Sequence, residues 1–193
     1  MRVCIVRHGE TDWNREGRWQ GREDIPLNET GREQARAVAR WLTANGSWDT
    51  VISSPLSRAR ETAAIIADEL GLSVRTYAPL VEIDYGKCAG LTSDEREKRY
   101  PTGNFRDDWE PYESVRHRAE QCIHMLGNLP EAENAIVVCH GGLIRRLLAV
   151  TDPTWMGKKF RLVNTSITIL HYDAGRWTVE LFNHAAQEEL INI

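Results

Sequence analysis

The chain has 193 residues, 41% of them hydrophobic and 27% charged. This size and balance give one globular domain over residues 1–193 and exclude disordered, collagen-like and low-complexity architectures. The 24 basic residues against 28 acidic ones leave a net charge of -4, with no run of five like charges, which excludes nucleic-acid binding through a basic face and polybasic contact with a membrane.

Arg2 to Val6 reads as a short buried strand. Thr30-Gly-Arg-Glu33 has the form of a capping box opening a helix whose apolar stripe is Ala35, Val38, Ala39 and Leu42. Asp49 to Ser53 reads as a second strand, followed by a helix with Ser54 as N-cap and Pro55 in its first position. That helix carries Leu56, Ala59, Ala63, Ile66 and Leu70 on one stripe and stops at Gly71. A third β segment is expected over Val74 to Glu82. Thr92-Ser-Asp-Glu95 is another capping box, Tyr100 to Pro111 has loop composition, and a helix is expected from Glu113 to Leu126. Ala135 to Cys139 is the most hydrophobic strand. It ends at His140-Gly141-Gly142, ahead of an amphipathic helix with Leu143, Leu147 and Leu148. Two closing strands, Ser166 to Tyr172 and Trp177 to Phe182, flank the turn Asp173-Ala-Gly175. Alternating β and α segments predict a three-layer α/β/α sandwich with a mostly parallel central sheet and a hairpin at its margin, and a short lid-like segment at 92–112.

Cys4, Cys88, Cys122 and Cys139 show no metal-binding or disulfide spacing and read as reduced core thiols. The N-terminus enters Val3-Cys4-Ile5-Val6 without the apolar region of a signal peptide, and no apolar run spans a bilayer, so a cytoplasmic protein is expected. The oligomeric state stays open, a homodimer included.

Two strands end in histidine followed by glycine: Val6-Arg7-His8-Gly9 and Cys139-His140-Gly141. In an open α/β sheet ligands sit beyond the carboxyl ends of the strands, so both imidazoles should face one crevice. Arg7 precedes the first histidine, and Arg58 lies early in the helix after the second strand. Only four of the 24 basic residues are lysine (Lys87, Lys98, Lys158 and Lys159), leaving 20 arginines. Most of these suit a solvated surface, but Arg7 and Arg58 stand where a guanidinium fork could grip an oxyanion. The N-terminus of the helix after Gly141 should add backbone donors to the same anion.

Arg7-His8-Gly9-Glu10-Thr11 with Asn14, then Gln20-Gly21 and Pro26-Leu27-Asn28-Glu29-Thr30-Gly31, resembles the opening of the histidine phosphatase superfamily, the phosphoglycerate mutase-like proteins. Ser53-Ser54-Pro55-Leu56-Ser57-Arg58-Ala59-Arg60-Glu61-Thr62-Ala63, Glu82-Ile83-Asp84-Tyr85-Gly86 and His140-Gly141-Gly142 follow in the family's order, so that the resemblance covers Val3 to about Thr168. It implies a phosphomonoesterase working through a phosphohistidine, without metal or other cofactor, on a small phosphorylated substrate, with inorganic phosphate as product. By the same resemblance His8 is the nucleophile, Arg7, Arg58 and His140 neutralise the phosphoryl oxygens, and Glu82 is the general acid and base. Gly9, Asn14, Gln20, Gly21 and Gly141 match substrate-contacting positions.

Within the family the chain is similar to broad-specificity and ribazole-phosphate-type phosphatases. Mutases carry a long basic insertion after the glutamate motif and an extended C-terminal tail. Here about 20 residues separate Gly90 from Pro111 and nine follow His184, which favours hydrolysis, with cofactor-dependent phosphoglycerate mutase activity as the alternative. Lys87-Cys88-Ala89 and Tyr112 depart from the broad-specificity pattern on the leaving-group side and bear on substrate choice. Two readings from other classes compete: a His8, His140 and Glu82 iron site, which Arg7 and Arg58 would oppose by charge, and a regulatory domain that keeps the fold without turnover. Trp13, Trp19 and Trp109 are candidates for a pocket wall taking an apolar or aromatic leaving group.

Overall fold

The computed structural model describes residues 1–104, 106–129 and 134–186. One six-stranded sheet organises them: β1 (Arg2–Arg7), β2 (Thr50–Ser53), β3 (Val74–Thr76), β4 (Asn134–Cys139), β5 (Ile167–Asp173) and β6 (Arg176–His184), in the spatial order β3-β2-β4-β1-β5-β6. The pairs β3/β2, β2/β4 and β4/β1 are parallel, while β1/β5 and β5/β6 are antiparallel. The expected mostly parallel sheet with a marginal hairpin is therefore present.

Alternation along the strands sends side chains to two separate cores, as the period-two geometry of a strand requires. Val3 and Ile5 of β1 join Ala135, Val137 and Cys139 of β4 beneath α5 (Tyr112–Gly127) and α6 (Gly141–Thr151). Cys4 and Val6 join Val51, Ile136 and Val138 beneath α2 (Glu29–Ala44) and α3 (Ser57–Leu70). Helices on both faces explain why β1 and β4 read as continuous apolar runs. All four cysteines are free and buried.

Local chemistry moves several boundaries from those expected. The cap of α2 is Asn28, whose side chain accepts from the Gly31 amide, and not Thr30. Asn28 is fixed in turn by the backbone and carboxylate of Glu10, so the loop after β1 dictates where the helix starts. The helix after β2 begins at Ser57 instead of Ser54 and Pro55: Leu56 occupies the cap position without a side-chain bond, while the Ser54 hydroxyl accepts from the Leu56 amide in the turn ahead of it and also contacts His140. Its C-terminus at Gly71 is as expected, with φ at 68°. The third strand ends at Thr76, and a 3₁₀ turn over Ala78–Leu80 replaces the remainder. The short helices α1 (Asp12–Arg15), capped by Thr11, and α4 (Ser93–Arg99), capped by the expected Thr92 and Glu95 box, complete the helical elements used below.

Two glycines join the site loop to α2. A β-carbon on Gly9 would stand 2.4 Å from the Gly31 carbonyl oxygen, and one on Gly31 would stand 2.2 Å from that of Glu10. Backbone atoms on both sides leave no soft neighbour to yield. Gly31→Ala should therefore cost about 1–3 kcal/mol by overpacking, read as a lowered urea midpoint with an unchanged m-value; an unshifted midpoint would show that the loop can give way.

Candidate active site

Strand register brings the two histidines together. Arg7 of β1 pairs with Cys139 of β4, so His8 and His140 are each the next residue beyond a matched pair, and the His8 amide still donates to the Cys139 carbonyl at 3.0 Å. The two rings lie 5.2 Å apart, centroid to centroid. On the other flank of β4, Ser53 pairs with Val138. This brings Ser54 level with Cys139, one residue short of His140, whose Nε2 lies 2.7 Å from the Ser54 hydroxyl.

His8 Nδ1 is 2.7 Å from the Gly9 carbonyl oxygen. A carbonyl can only accept, so Nδ1 carries the proton and Nε2 keeps its lone pair. The Gly9 amide donates to the Thr62 hydroxyl, which itself donates to the Arg58 carbonyl; this chain locks the loop after β1 to the first turns of α3. Arg58 is fully buried and is held by the carbonyls of Glu23 and Gly21, while Arg7 is held by that of Leu162. These anchors leave Arg7 Nε, Arg58 Nε and His140 Nδ1 buried without protein partners.

Burial, then the nearby Arg58 and Arg7 guanidiniums, hold the His8 pKa well below its ordinary value, against the small opposing effect of the Gly9 hydrogen bond. Burial also leads for His140, with Arg58, His8 and Arg7 adding to it. Arg7 and Arg58 are themselves pushed down to about 10, chiefly by burial. Both imidazoles are thus neutral between two cations.

Glu82 is built into the N-terminus of α6. Its Oε1 accepts from the amides of Ile83 (2.8 Å) and Leu143 (2.9 Å), and its Oε2 from that of Gly142 (2.9 Å). The Gly142 and Leu143 donors, expected to face a bound anion, are thus taken by a side chain of the chain itself. Gly142 has to be glycine here, since a β-carbon would come within 2.6 Å of both Glu82 Oε1 and the Tyr85 hydroxyl. Sequence reasoning passed over Gly142, although its place one residue into a helix beside the motif glutamate is the kind of close approach that only glycine permits.

Arg7, His8, Arg58, Glu82, Asn14, Gln20, Gly21 and Gly141 all border one cavity of about 380 Å³. Two of the candidates do not border it: Gly9, packed on Gly31, and His140, fully buried beside the His8 ring. Asn14 spends its carbonyl oxygen on Thr11 and on Asn164, so its amide group is the part left to donate. The wall also contains Arg145 and Arg161, which no local pattern singled out because they arrive from α6 and from the loop before β5. Among the described residues Glu82 is the only carboxylate in that wall, and no group of three His, Cys, Asp or Glu side chains is placed to hold a metal ion. Trp19 borders the cavity; Trp13 instead packs against Gly90.

The histidine phosphatase superfamily (branch 1) model matches residues 3–185. The chain belongs to this superfamily. The uncharacterized phosphatase PhoE of Bacillus subtilis is 36% identical over 184 residues, covering 94% of this chain and 93% of that one. Phosphoglycerate mutase-like protein 4 of Arabidopsis thaliana is 34% identical, covering 97% and 86%. A mutant of the Entamoeba histolytica phosphoserine phosphatase, solved in complex with phosphoserine, superposes with a TM-score of 0.80 at 30% identity, covering 95% of this chain and 97% of that one. Relatives thus include both phosphatases and mutase-like proteins, and the three-layer fold is that of the superfamily. Among the described residues no helix is long and apolar enough to cross a membrane.

The protonation states have a direct check. An imidazole with an unperturbed pKa near 6.5 that is lowered on folding makes the unfolded chain the better proton binder below that pH. Its contribution to stability is complete above about 6.5 and is lost as pH falls from there towards the lowered value. The His8 and His140 Cε1–H resonances should therefore stay flat between about pH 7.5 and 5.5 while the urea midpoint falls over the same window; a titration midpoint near 6.5 at either ring would contradict the buried, neutral pair.

Proposed function

We propose that the protein is a phosphomonoester hydrolase acting on small phosphorylated metabolites through a phosphohistidine on His8. The observation that carries this reading is the pairing of a His8 ring locked by the Gly9 carbonyl with buried, unpartnered nitrogens of Arg7 and Arg58. A neutral nucleophile and fixed positive charge are thereby preset around one point, as phosphoryl transfer requires.

In the first step His8 Nε2 attacks phosphorus in line as the bond to the leaving oxygen breaks. Arg7, Arg58 and His140 Nδ1 take the equatorial oxygens; with the Ser54 hydroxyl donating to His140 Nε2, the ring's proton sits on Nδ1 and can be shared with the phosphoryl group. Glu82 Oε2 is the acid-base atom. Oε1 already accepts two amides, whereas Oε2 accepts one and retains a lone-pair direction for the proton given to the leaving alkoxide. In the second step water attacks the phosphohistidine, Oε2 takes its proton, and inorganic phosphate departs.

The segment after Gly90 supports hydrolysis over mutase chemistry. Its short helix α4 turns basic residues away from the reacting centre: Arg96 lies over the Trp19 ring at 4.1 Å and Arg99 over Tyr100 at 5.9 Å. Neither they nor Lys98 borders the cavity, so α4 adds no positive charge there to retain a second phosphorylated ligand between steps. We read 92–112 as a lid on the leaving-group side.

Hydrolysis of p-nitrophenyl phosphate, with acid-labile label trapped on His8, tests the reading. His8→Ala should abolish both while far-UV and near-UV spectra stay native; half the rate remaining would sink the mechanism. A chelator should leave the rate unaltered, and phosphoryl transfer to 3-phosphoglycerate outpacing transfer to water in the presence of a bisphosphoglycerate primer would select the mutase alternative. For Glu82→Gln, loss of a general acid of the usual 10²–10⁴-fold worth should appear in kcat/KM for alkyl phosphates and be much smaller for p-nitrophenyl phosphate, whose leaving group needs no proton. Equal losses on both would remove Glu82 from the acid role.

A further inference from the structure

A second cavity of about 440 Å³ adjoins the first, and Trp19, Tyr85, Gly142 and Arg145 line both. Trp19, Tyr85 and Trp109 form a collar there, with ring centroids 4.8, 4.9 and 5.1 Å apart in pairs. Glu82 Oε2 lies 2.9 Å from the Gly142 amide, so the atom assigned to protonate the leaving oxygen sits at the threshold between the chambers. A leaving group departing past Glu82 therefore points into the second one.

Among the described residues the charged side chains bordering that second chamber are Arg106, Arg145, Arg146 and Lys158, with no Asp or Glu. Several other arginines are matched with carboxylates, as in Arg18 with Glu95, Arg32 with Glu61 and Arg118 with Glu110. Arg145, Arg146 and Lys158 make no ion pair with a described carboxylate and rest on rings: Arg145 on Phe160 (4.2 Å), Arg146 on Tyr112 (4.8 Å) and Lys158 on Trp155 (4.4 Å). Asp152, which feels Lys158, spends its oxygens on the Thr154 amide and hydroxyl. A cation held on a ring face is positioned without being neutralised and keeps hydrogens for an anion. Gly142, Arg145, Arg146 and Ala149 follow one face of α6 at helical spacing, forming a continuous floor from Glu82 to these cations.

We propose, resting on the phosphomonoesterase reading above, that the preferred substrates are two-ended. Their leaving group has a flat apolar middle that packs against the aromatic collar and an oxyanion at its far end, taken by Arg146 and Lys158 with Arg145 between the two chambers. Phosphate esters of small alcohols fill only the first chamber and gain nothing from the second.

Non-hydrolysable ligands test this apart from catalysis. Benzylphosphonate and relatives bearing a para carboxylate on arms of increasing length are titrated calorimetrically into the full chain. At the best arm length the carboxylate should tighten binding about tenfold, the worth of one charge-assisted contact. The Arg146→Gln/Lys158→Gln double variant should bring that ratio close to one, while the charge-retaining Arg146→Lys/Lys158→Arg variant should keep most of it. A ratio near one at every arm length in the unaltered protein, or a preference that survives the glutamine variant, overturns the proposal. Turnover of p-nitrophenyl phosphate reports separately on the phosphatase reading, so either can fail alone.

Discussion

Arg58 is buried and Arg7 half-buried, with Glu82 the one carboxylate among the described residues of the cavity wall, and the site is organised around this excess of positive charge. Buried cations normally stand against matched anions, because loss of hydration costs several kcal/mol per ion. Here the offset comes from Glu82, with Asp24 also near Arg58, and from the carbonyls of Gly21, Glu23 and Leu162 that hold the guanidiniums. Carbonyl dipoles fix the guanidiniums without cancelling their charge. Burial first, and then the field of these cations, holds the His8 and His140 pKa values down, so on the proposed mechanism the same enclosure prepares both the phosphoryl site and its nucleophile.

That arrangement depends on the sheet more than on any loop. His8 and His140 leave β1 and β4 at matched levels and Ser54 leaves β2 one residue earlier, and the Arg58 turn is tied to the His8 loop through Thr62 and the Gly9 amide. A slip of one residue between β1 and β4 would exchange the two cores and separate the imidazoles. The apolar patterning that specifies the register therefore also specifies the distance between the rings.

The parts legible in the sequence were those written in local periodicity or in ordered motifs. Strands β1 and β4, the stripe of α3 and its Gly71 stop, the Thr92 box and the placement of His8, His140, Arg7 and Arg58 at strand ends all follow from residues close in sequence. What escaped depended on partners far along the chain. Asn28 wins the cap of α2 from Thr30 because Glu10, 18 residues earlier, fixes its side chain; Ser54 serves the turn before α3 through the Leu56 amide and also meets His140 from a distant strand, and the helix starts only at Ser57. Arg145 and Arg161 carry no sequence mark that separates them from the solvated arginines of α2.

Helix α6 shows how one element can serve two ends of a reaction. Its first amides were expected to cradle the substrate, yet a helix N-terminus aimed at the phosphoryl group would have left the acid-base carboxylate without orientation. By spending the Gly142 and Leu143 donors on Glu82, the fold fixes that carboxylate to the same rigid body that carries Arg145 and Arg146 one turn further along. On the proposed mechanism the phosphoryl group is left to side chains of β1 and α3, and the leaving group to α6. Division of the ligand between two separately packed helical layers would let the machinery for phosphorus stay constant while the α6 side changes with the alcohol.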